Sequence, residues 1–570
     1  MAADWLLTCE RTDFKATGRY AEAVEFCRKL DAESPHAKMF SMGKSPQGRE
    51  MVVLILSKDQ TFTPEESRRS GKPLVFIENG IHSGEIEGKD ASLMLARDIL
   101  MGDMPDMLRN VNVAIVPIFG VDAHERFGPF NRANQNGPVE MGWRTTSVNL
   151  NLNRDFVKAD AGEMRVLLNF LRKWKPDVFF DNHTTDGGDW QYVMTFDTAR
   201  WPTMDADAMN FAAKMDGHLM REVNRDGFVA GPYFGGINAA NPAQGTSLGT
   251  YSPRYSHGYY SLFNRPSILV ETHVLKPYKP RVLSTYSILR HAIEFTGENA
   301  AELKAVVAQA DAREANLREG DPLVISSKTK DEWRDWTYKG YEFKPYKSEI
   351  TGGEVRAWGT EPKDFPSRIR DQFEPGESVR LPAAYLIPPQ WQDVAKLLNL
   401  HGIQYSRLKS SAVPSRRKMM VRVFQDVKFP GSPNEGRFMP SFTVREEERE
   451  VSIHKGSLIV PVNQPGARLL VHLLEPVCED SLVRWGFFNT IFQRTEYAED
   501  YAMEPYARKM LDRDPKLKAE FEEKLKDPAF AGSPLARLNW LFERSPFYDE
   551  AYSVYPVLRL SGADLQALGG

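Results

Sequence analysis

Cysteine is scarce in this chain. Its three cysteines in 570 residues, Cys9, Cys27 and Cys478, are too few for a disulfide framework, and we read Cys9 and Cys27 as buried free thiols rather than a pair. There is no run of 18 apolar residues, which excludes a membrane-spanning helix. Positive charge is not in excess: 73 Lys and Arg against 77 Asp and Glu give a net charge of -4, so nothing favours a nucleic-acid partner. Internal repeats and low-complexity tracts are also missing. The start, Met1-Ala2-Ala3-Asp4-Trp5, lacks a basic segment followed by an apolar one, so we expect no signal peptide in this chain. A mature exported form restarted with Met would read the same, which leaves a cytoplasmic, periplasmic or secreted location open.

What is present is an ordinary globular composition, 42% hydrophobic and 26% charged, on a chain longer than one core usually organises. Two or three domains are expected. Residues 1–310 alternate strand-like and helix-like segments, the signature of an α/β domain. Met51–Leu56, Pro73–Ile77, Val111–Pro117, Asp177–His183 and Pro266–Glu271 read as strands. Ala91–Leu100, Gly162–Trp174, Ala206–Val223 and Ser287–Ala310 carry helical apolar spacing. Residues 311–570 change texture, with short β-like stretches between Pro, Gly and charge clusters, such as Gly352–Trp358. This extension reads as mixed α+β and β-rich, in two small subdomains of about 321–415 and 416–570. Gln390–Leu398 reads as a helix, Lys418–Val460 as mostly β, and the chain from Leu482 as helical, with Leu517–Leu525 a solvated face.

Chemistry concentrates in the first half. His82 and Glu85, in Ile81-His82-Ser83-Gly84-Glu85, directly follow the strand-like run Pro73–Ile77. His183 ends a second such run. Two neutral imidazoles and one carboxylate leave Zn²⁺ a fourth position for water, a catalytic rather than a structural pattern. HxxE alone is a weak signal, whereas two ligand clusters at two strand ends are a strong one. Asp181 is a candidate to orient a ligand imidazole through its other nitrogen, or an ordinary satisfied loop carboxylate. His36, His124, His218, His257 and His273 sit in no such frame and read as ordinary core or surface imidazoles.

Over residues 15–300 the chain resembles the zinc carboxypeptidases, the carboxypeptidase A-like metallopeptidases, and in particular the long bacterial members with a C-terminal extension. The resemblance implies a mixed β-sheet flanked by helices, one Zn²⁺ per chain at His82, Glu85 and His183, and hydrolysis of the C-terminal peptide bond. It also implies an oxyanion-stabilising arginine, which we assign to Arg144 in Trp143-Arg144, with Arg126 and Arg132 as rivals. Asn153 and Arg154 match the pair that clamps a substrate's terminal carboxylate, a task suited to the planar guanidinium fork. Glu271, ending a strand 88 residues after His183, matches the general base. Tyr251 is the best spacing match to the substrate-capping tyrosine, over Tyr255, Tyr259 and Tyr260. The pocket-floor segment Ser252–Gly258 departs from the digestive enzymes, and its Arg254 is a candidate receptor for an acidic side chain, or a brace for the loop.

The expected substrate is therefore a peptide or acyl amino acid with a free carboxylate. One alternative is a zinc amidohydrolase acting on N-acyl amino acids or peptidoglycan-type peptides. Another, of a different class, is a catalytically dead peptide-binding module, which would have no chemical need of Glu271. Oligomeric state, and whether the extension packs beside the cleft or binds a partner, are not legible in the sequence.

Overall fold

The computed structural model describes residues 3–568 apart from 103 and 410–415, so the expected subdomain boundary near 415 lies outside the described residues. The first half is built on one eight-stranded mixed sheet, with helices packed against it. Its strands are β1 (Ala37–Lys44), β2 (Glu50–Leu56), β3 (Leu74–Asn79), β4 (Asn112–Val116), β5 (Val178–Thr185), β6 (Met194–Thr198), β7 (Ala230–Pro232) and β9 (Ser267–His273). A two-residue strand, β8 (Thr246–Ser247), stands outside this sheet. The spatial order is β1-β2-β4-β3-β5-β9-β6-β7. Its centre, β4-β3-β5-β9, is parallel, and antiparallel β1-β2 and β6 flank it.

The apolar runs explain that centre. β3 and β4 are buried along their whole length, as parallel strands covered on both faces must be. The helices Glu87–Met101, Gly162–Trp174, Ala206–Arg225 and Tyr278–Glu298 cover it. The expected helix Ser287–Ala310 is in fact two, Tyr278–Glu298 and Ala300–Ala315, divided at Asn299. In open α/β sheets ligands gather beyond the carboxyl ends of the parallel strands, and here His82, His183 and Glu271 all stand at those ends. Cys9, Cys27 and Cys478 are buried free thiols.

The second half is β-rich, but its strands are longer than expected. Gly352–Trp358 runs from a turn at Gly352–Gly353 into a 17-residue strand, Glu354–Arg370, paired with the 14-residue Arg334–Lys347. Charged and polar residues fill its outward positions and break the apolar signal. The base of this hairpin is not free: Trp336, Tyr338 and Phe365 pack with Trp190, Tyr192 and Phe234 of the first half, and β8 pairs in parallel with Ile369 and Arg370. A second hairpin, Arg417–Lys428 with Ser441–Val451, adjoins a four-stranded sheet containing Ala384–Ile387, flanked by the helix Gln392–Leu400. The chain ends in short helices from Asp500 onward. No helix among the described residues is long and apolar enough to cross a membrane.

Candidate metal centre and cleft

The β3 chain runs into a tight turn that delivers His82 and Glu85 side by side. Ser83 locks the turn, donating its hydroxyl to the Gly120 carbonyl at 2.7 Å while its own N–H donates to the Trp143 carbonyl. Gly84 has to be glycine: a Cβ there would run into the Arg132 side chain, which crosses over it.

One ligand atom from each of His82, Glu85 and His183 can be chosen so that all three lie within 4.8 Å of one another, and all three residues are buried. His82 Nδ1 is 3.2 Å from Glu85 Oε1, and His183 Nδ1 is 2.9 Å from Glu85 Oε2. The far nitrogens are occupied. His82 Nε2 lies 2.9 Å from Asn151 Oδ1, and His183 Nε2 lies 2.6 Å from Asp181 Oδ2. Both contacts favour the Nε2–H tautomer and turn each Nδ1 lone pair inward. His82 Nδ1 is buried with no hydrogen-bond partner. An orphaned imidazole nitrogen beside a carboxylate and a second imidazole fits the donor set of a catalytic zinc. Asp181 is itself held, accepting from the Ser256 hydroxyl.

The electrostatics follow from burial and neighbouring charge. Burial would raise the Glu85 carboxyl, but Arg132 and His82 hold it well below the usual carboxylate range. Burial alone would lower His183; Asp181 and Glu85 override it and push the imidazole well up. Glu271, buried in the same cleft, is pushed up to about 8, by burial first, with Glu85 and Asp181 adding to it against the pull of His183. Glu78, under the site, is raised well above its ordinary value by burial and then by Asp181. It is the register partner of Asp181 and does not line the cleft.

A cleft of about 500 Å³ opens over the cluster. It gathers His82, Glu85, Arg144, Asn153, Arg154, His183, Tyr251 and Glu271 from the sequence-derived set, together with Arg132, Tyr233, Tyr255 and His257. Arg132 Nη1 and Arg144 Nη1 both reach Glu85 Oε1, at 2.7 and 3.0 Å. Arg132 is the deeper, with 12% of its side chain exposed against 45% for Arg144. Arg126 stacks on Trp143 and does not line the cleft. Asn153 accepts from the Ser256 N–H at 2.9 Å through Oδ1, and its amide nitrogen is 3.2 Å from His183 Nε2. Arg154 donates to the Asn153 carbonyl at 2.6 Å and lies over the Tyr255 ring, 4.3 Å from its centre.

Arg254 requires a correction as a substrate receptor. It does not line the cleft; it is ion-paired to Glu479 at 3.0 Å and Asp480 at 2.8 Å, with its backbone N–H also on Asp480. The bracing role is the one its contacts describe. Sequence reading also missed residues that the fold brings in. Asn151 carried no signal beyond its place in an Asn-rich segment. Tyr233 has its phenol raised by the Glu271 charge first and then by burial. His257 is buried with both ring nitrogens unpartnered and is lowered by burial to about 3. Tyr251 is raised, chiefly by burial. Both tyrosines therefore present neutral hydroxyls.

Fold and geometry together define an α/β protein with a buried cluster of two histidines and a glutamate, able to hold one metal ion, at the floor of an arginine-rimmed cleft. Residues 23–188 match the zinc carboxypeptidase family model. Carboxypeptidase 2 of Trichophyton rubrum is 22% identical over 481 residues, covering 81% of this chain and 82% of that protein. The probable carboxypeptidase 2 of Trichophyton verrucosum (strain HKI 0517) is 23% identical over 457 residues, covering 76% and 80%. Both alignments are longer than the first half of the chain, so the likeness runs into the second. Among solved structures, the putative carboxypeptidase A from Shewanella denitrificans OS-217 aligns with a TM-score of 0.38 and 16% identity, covering 49% of this chain and 71% of that one. The metallo-carboxypeptidase from Burkholderia cenocepacia aligns at 0.36 and 18%, covering 49% and 69%.

Proposed function

We propose that the protein is a zinc-dependent metallocarboxypeptidase that removes the C-terminal residue of peptides. The observation that carries this reading is the meeting, in one cleft, of the His82–Glu85–His183 cluster, the carboxyl of Glu271 and the cationic pair Arg144 and Arg154. His82 and His183 would hold the metal through Nδ1, and Glu85 through its carboxylate. When bound, zinc supplies Lewis acidity and eases ionisation of an adjacent water.

The remaining steps belong to the chain. Glu271 accepts the proton of the attacking water on its carboxylate and returns it to the leaving amine, so the group must be ionised at the start of the cycle. A raised carboxyl pKa matches proton return to an amine better than an ordinary one does, and a nearby cation would pull it back toward the working range. Arg132 and Arg144, which both reach Glu85, stabilise the oxygen that gains charge as the carbonyl is attacked, the deeper Arg132 the more strongly. Arg154 and Asn153 pair with the substrate's terminal carboxylate, with Tyr251 closing over it. That demand for a free carboxylate favours exopeptidase over endopeptidase action.

Hydrolysis of blocked dipeptides with varied C-terminal residues, run with and without chelator, tests the reading. Turnover that needs the free acid and disappears with chelator is expected. Chelator-insensitive turnover, or none on any dipeptide, sinks it.

A further inference from the structure

The turn of the hairpin Arg417–Lys428/Ser441–Val451 reaches from the second half of the chain to the back of the metal cluster. Glu435, in that turn, accepts a hydrogen bond on Oε2 from the Asn151 backbone N–H at 2.9 Å. Asn151 is nine-tenths buried, and its side-chain oxygen holds both His82 Nε2 at 2.9 Å and the Asn153 N–H at 3.0 Å. A single residue thus separates the extension from a ligand imidazole.

The turn is shaped for this contact. Glu435 adopts a φ of +49°, and Gly436 follows at +79°. A left-handed conformation at a residue with a Cβ persists only where its surroundings enforce it. Here Arg437 supplies that enforcement, donating to both carboxylate oxygens of Asp160 at 2.6 and 2.7 Å while lying 3.9 Å from the centre of the Phe487 ring.

We propose that Glu435 is a positioning residue for the metal centre. By accepting the Asn151 N–H, it fixes the segment whose side chain keeps His82 in the Nε2–H tautomer, with Nδ1 toward Glu85. Among the described residues Asn151 is the only side-chain hydrogen-bond partner of the His82 ring, whose Nδ1 faces Glu85 Oε1 at 3.2 Å, so freedom at Asn151 becomes rotation of the proposed ligand. Outer partners of this kind govern metal affinity through preorganisation. A carboxylate acceptor makes the bond charge-assisted and shorter than a neutral one.

The inference rests on the metal reading above, and its test reads zinc affinity rather than turnover. The full-length chain is titrated with zinc against a competing chelator, for wild type, Glu435→Ala, Glu435→Gln and Asn151→Ala. Glu435→Ala should weaken zinc binding by roughly five- to tenfold, below the 10–100-fold typical of a direct ligand partner. Glu435→Gln retains an acceptor and should stay within about twofold of wild type. In an Asn151→Ala background, Glu435→Ala should cost almost nothing further, because the link to His82 is already cut. If Glu435→Ala does not fold, Glu435→Asp, one methylene too short to reach, should show the same weakening. Wild-type zinc affinity in Glu435→Ala overturns the proposal, and so does an equal loss with and without Asn151. A wild-type protein without zinc affinity would overturn the metal reading and this inference together.

Discussion

His183 and Glu271 are register partners across the parallel β5–β9 ladder. The proposed ligand and the proposed proton acceptor thus share one face of the sheet, at a separation set by the ladder and not by any loop. The two side chains stay aligned because the backbone hydrogen bonds that hold them belong to the core.

Metal retention depends on all three ligands. Losing one donor from a three-residue site leaves too few, so His82→Ala and His183→Ala should each fall well below one zinc per chain. Elemental analysis of dialysed protein checks this, and unchanged stoichiometry in both variants would refute the assignment.

Glu271→Gln should keep zinc and fold while lowering kcat by about 10²–10⁴-fold, with little change in KM, because an amide cannot take the water's proton. Near-normal turnover in steady-state assays would make another group the base.

The same residue predicts a pH effect on the metal-free protein. A carboxyl raised from 4.5 to about 8 on folding binds more protons in the native state than in the unfolded one between those values. Its stability contribution is therefore full below about pH 4.5 and is lost as pH rises toward 8. Thermal unfolding of chelated protein should show wild type losing stability against Glu271→Gln across that window, and zinc should remove the difference. Parallel pH profiles for the two metal-free proteins would contradict this.

Arg132 lies deeper than Arg144, and both touch Glu85. Removing the arginine that meets the developing oxyanion should reduce kcat by about 10²–10³-fold. The more buried guanidinium works in the drier environment, so we expect Arg132→Ala to be the more damaging. A larger kcat loss in Arg144→Ala returns the role to the residue that sequence spacing favours.

Arg154→Ala should reduce hydrolysis of free-acid peptides by roughly 10²-fold or more and hardly affect C-terminally amidated ones, because the second change removes an interaction already absent. Equal cleavage of both substrate forms by the wild type would move the assignment to a zinc amidohydrolase.

Local patterns carried the first half because its central strands are unbroken apolar runs and the candidate ligands sit at their ends. The helices Gly162–Trp174 and Ala206–Arg225 were legible from their 3.6-residue spacing. The edge strand β1, Ala37–Lys44, is only partly buried, and without a continuous apolar run it left no readable trace. Arg254 misled because a guanidinium beside a pocket segment looks the same whether it faces substrate or a carboxylate 226 positions away. Asn151, Tyr233 and His257 depend on which loops the fold folds back, information that no local spacing contains. The long hairpin was underestimated because its polar outer face hides its period.

Asp480 anchors the loop that carries Tyr251 and Tyr255, through Arg254, and Glu435 backs the ligand loop. Both lie far downstream of the residues they support. At roughly 5–20 residues per second of synthesis, a nascent chain that has already made His82, Glu85 and His183 waits tens of seconds for the parts that hold its cleft wall. Stalled ribosomal complexes ending near residue 310 should therefore be protease-sensitive at the Gly249–Gly258 loop, and complexes that have released Asp480 should be resistant. The cleft would reach its braced form late in translation, a timing built into the order of the residues.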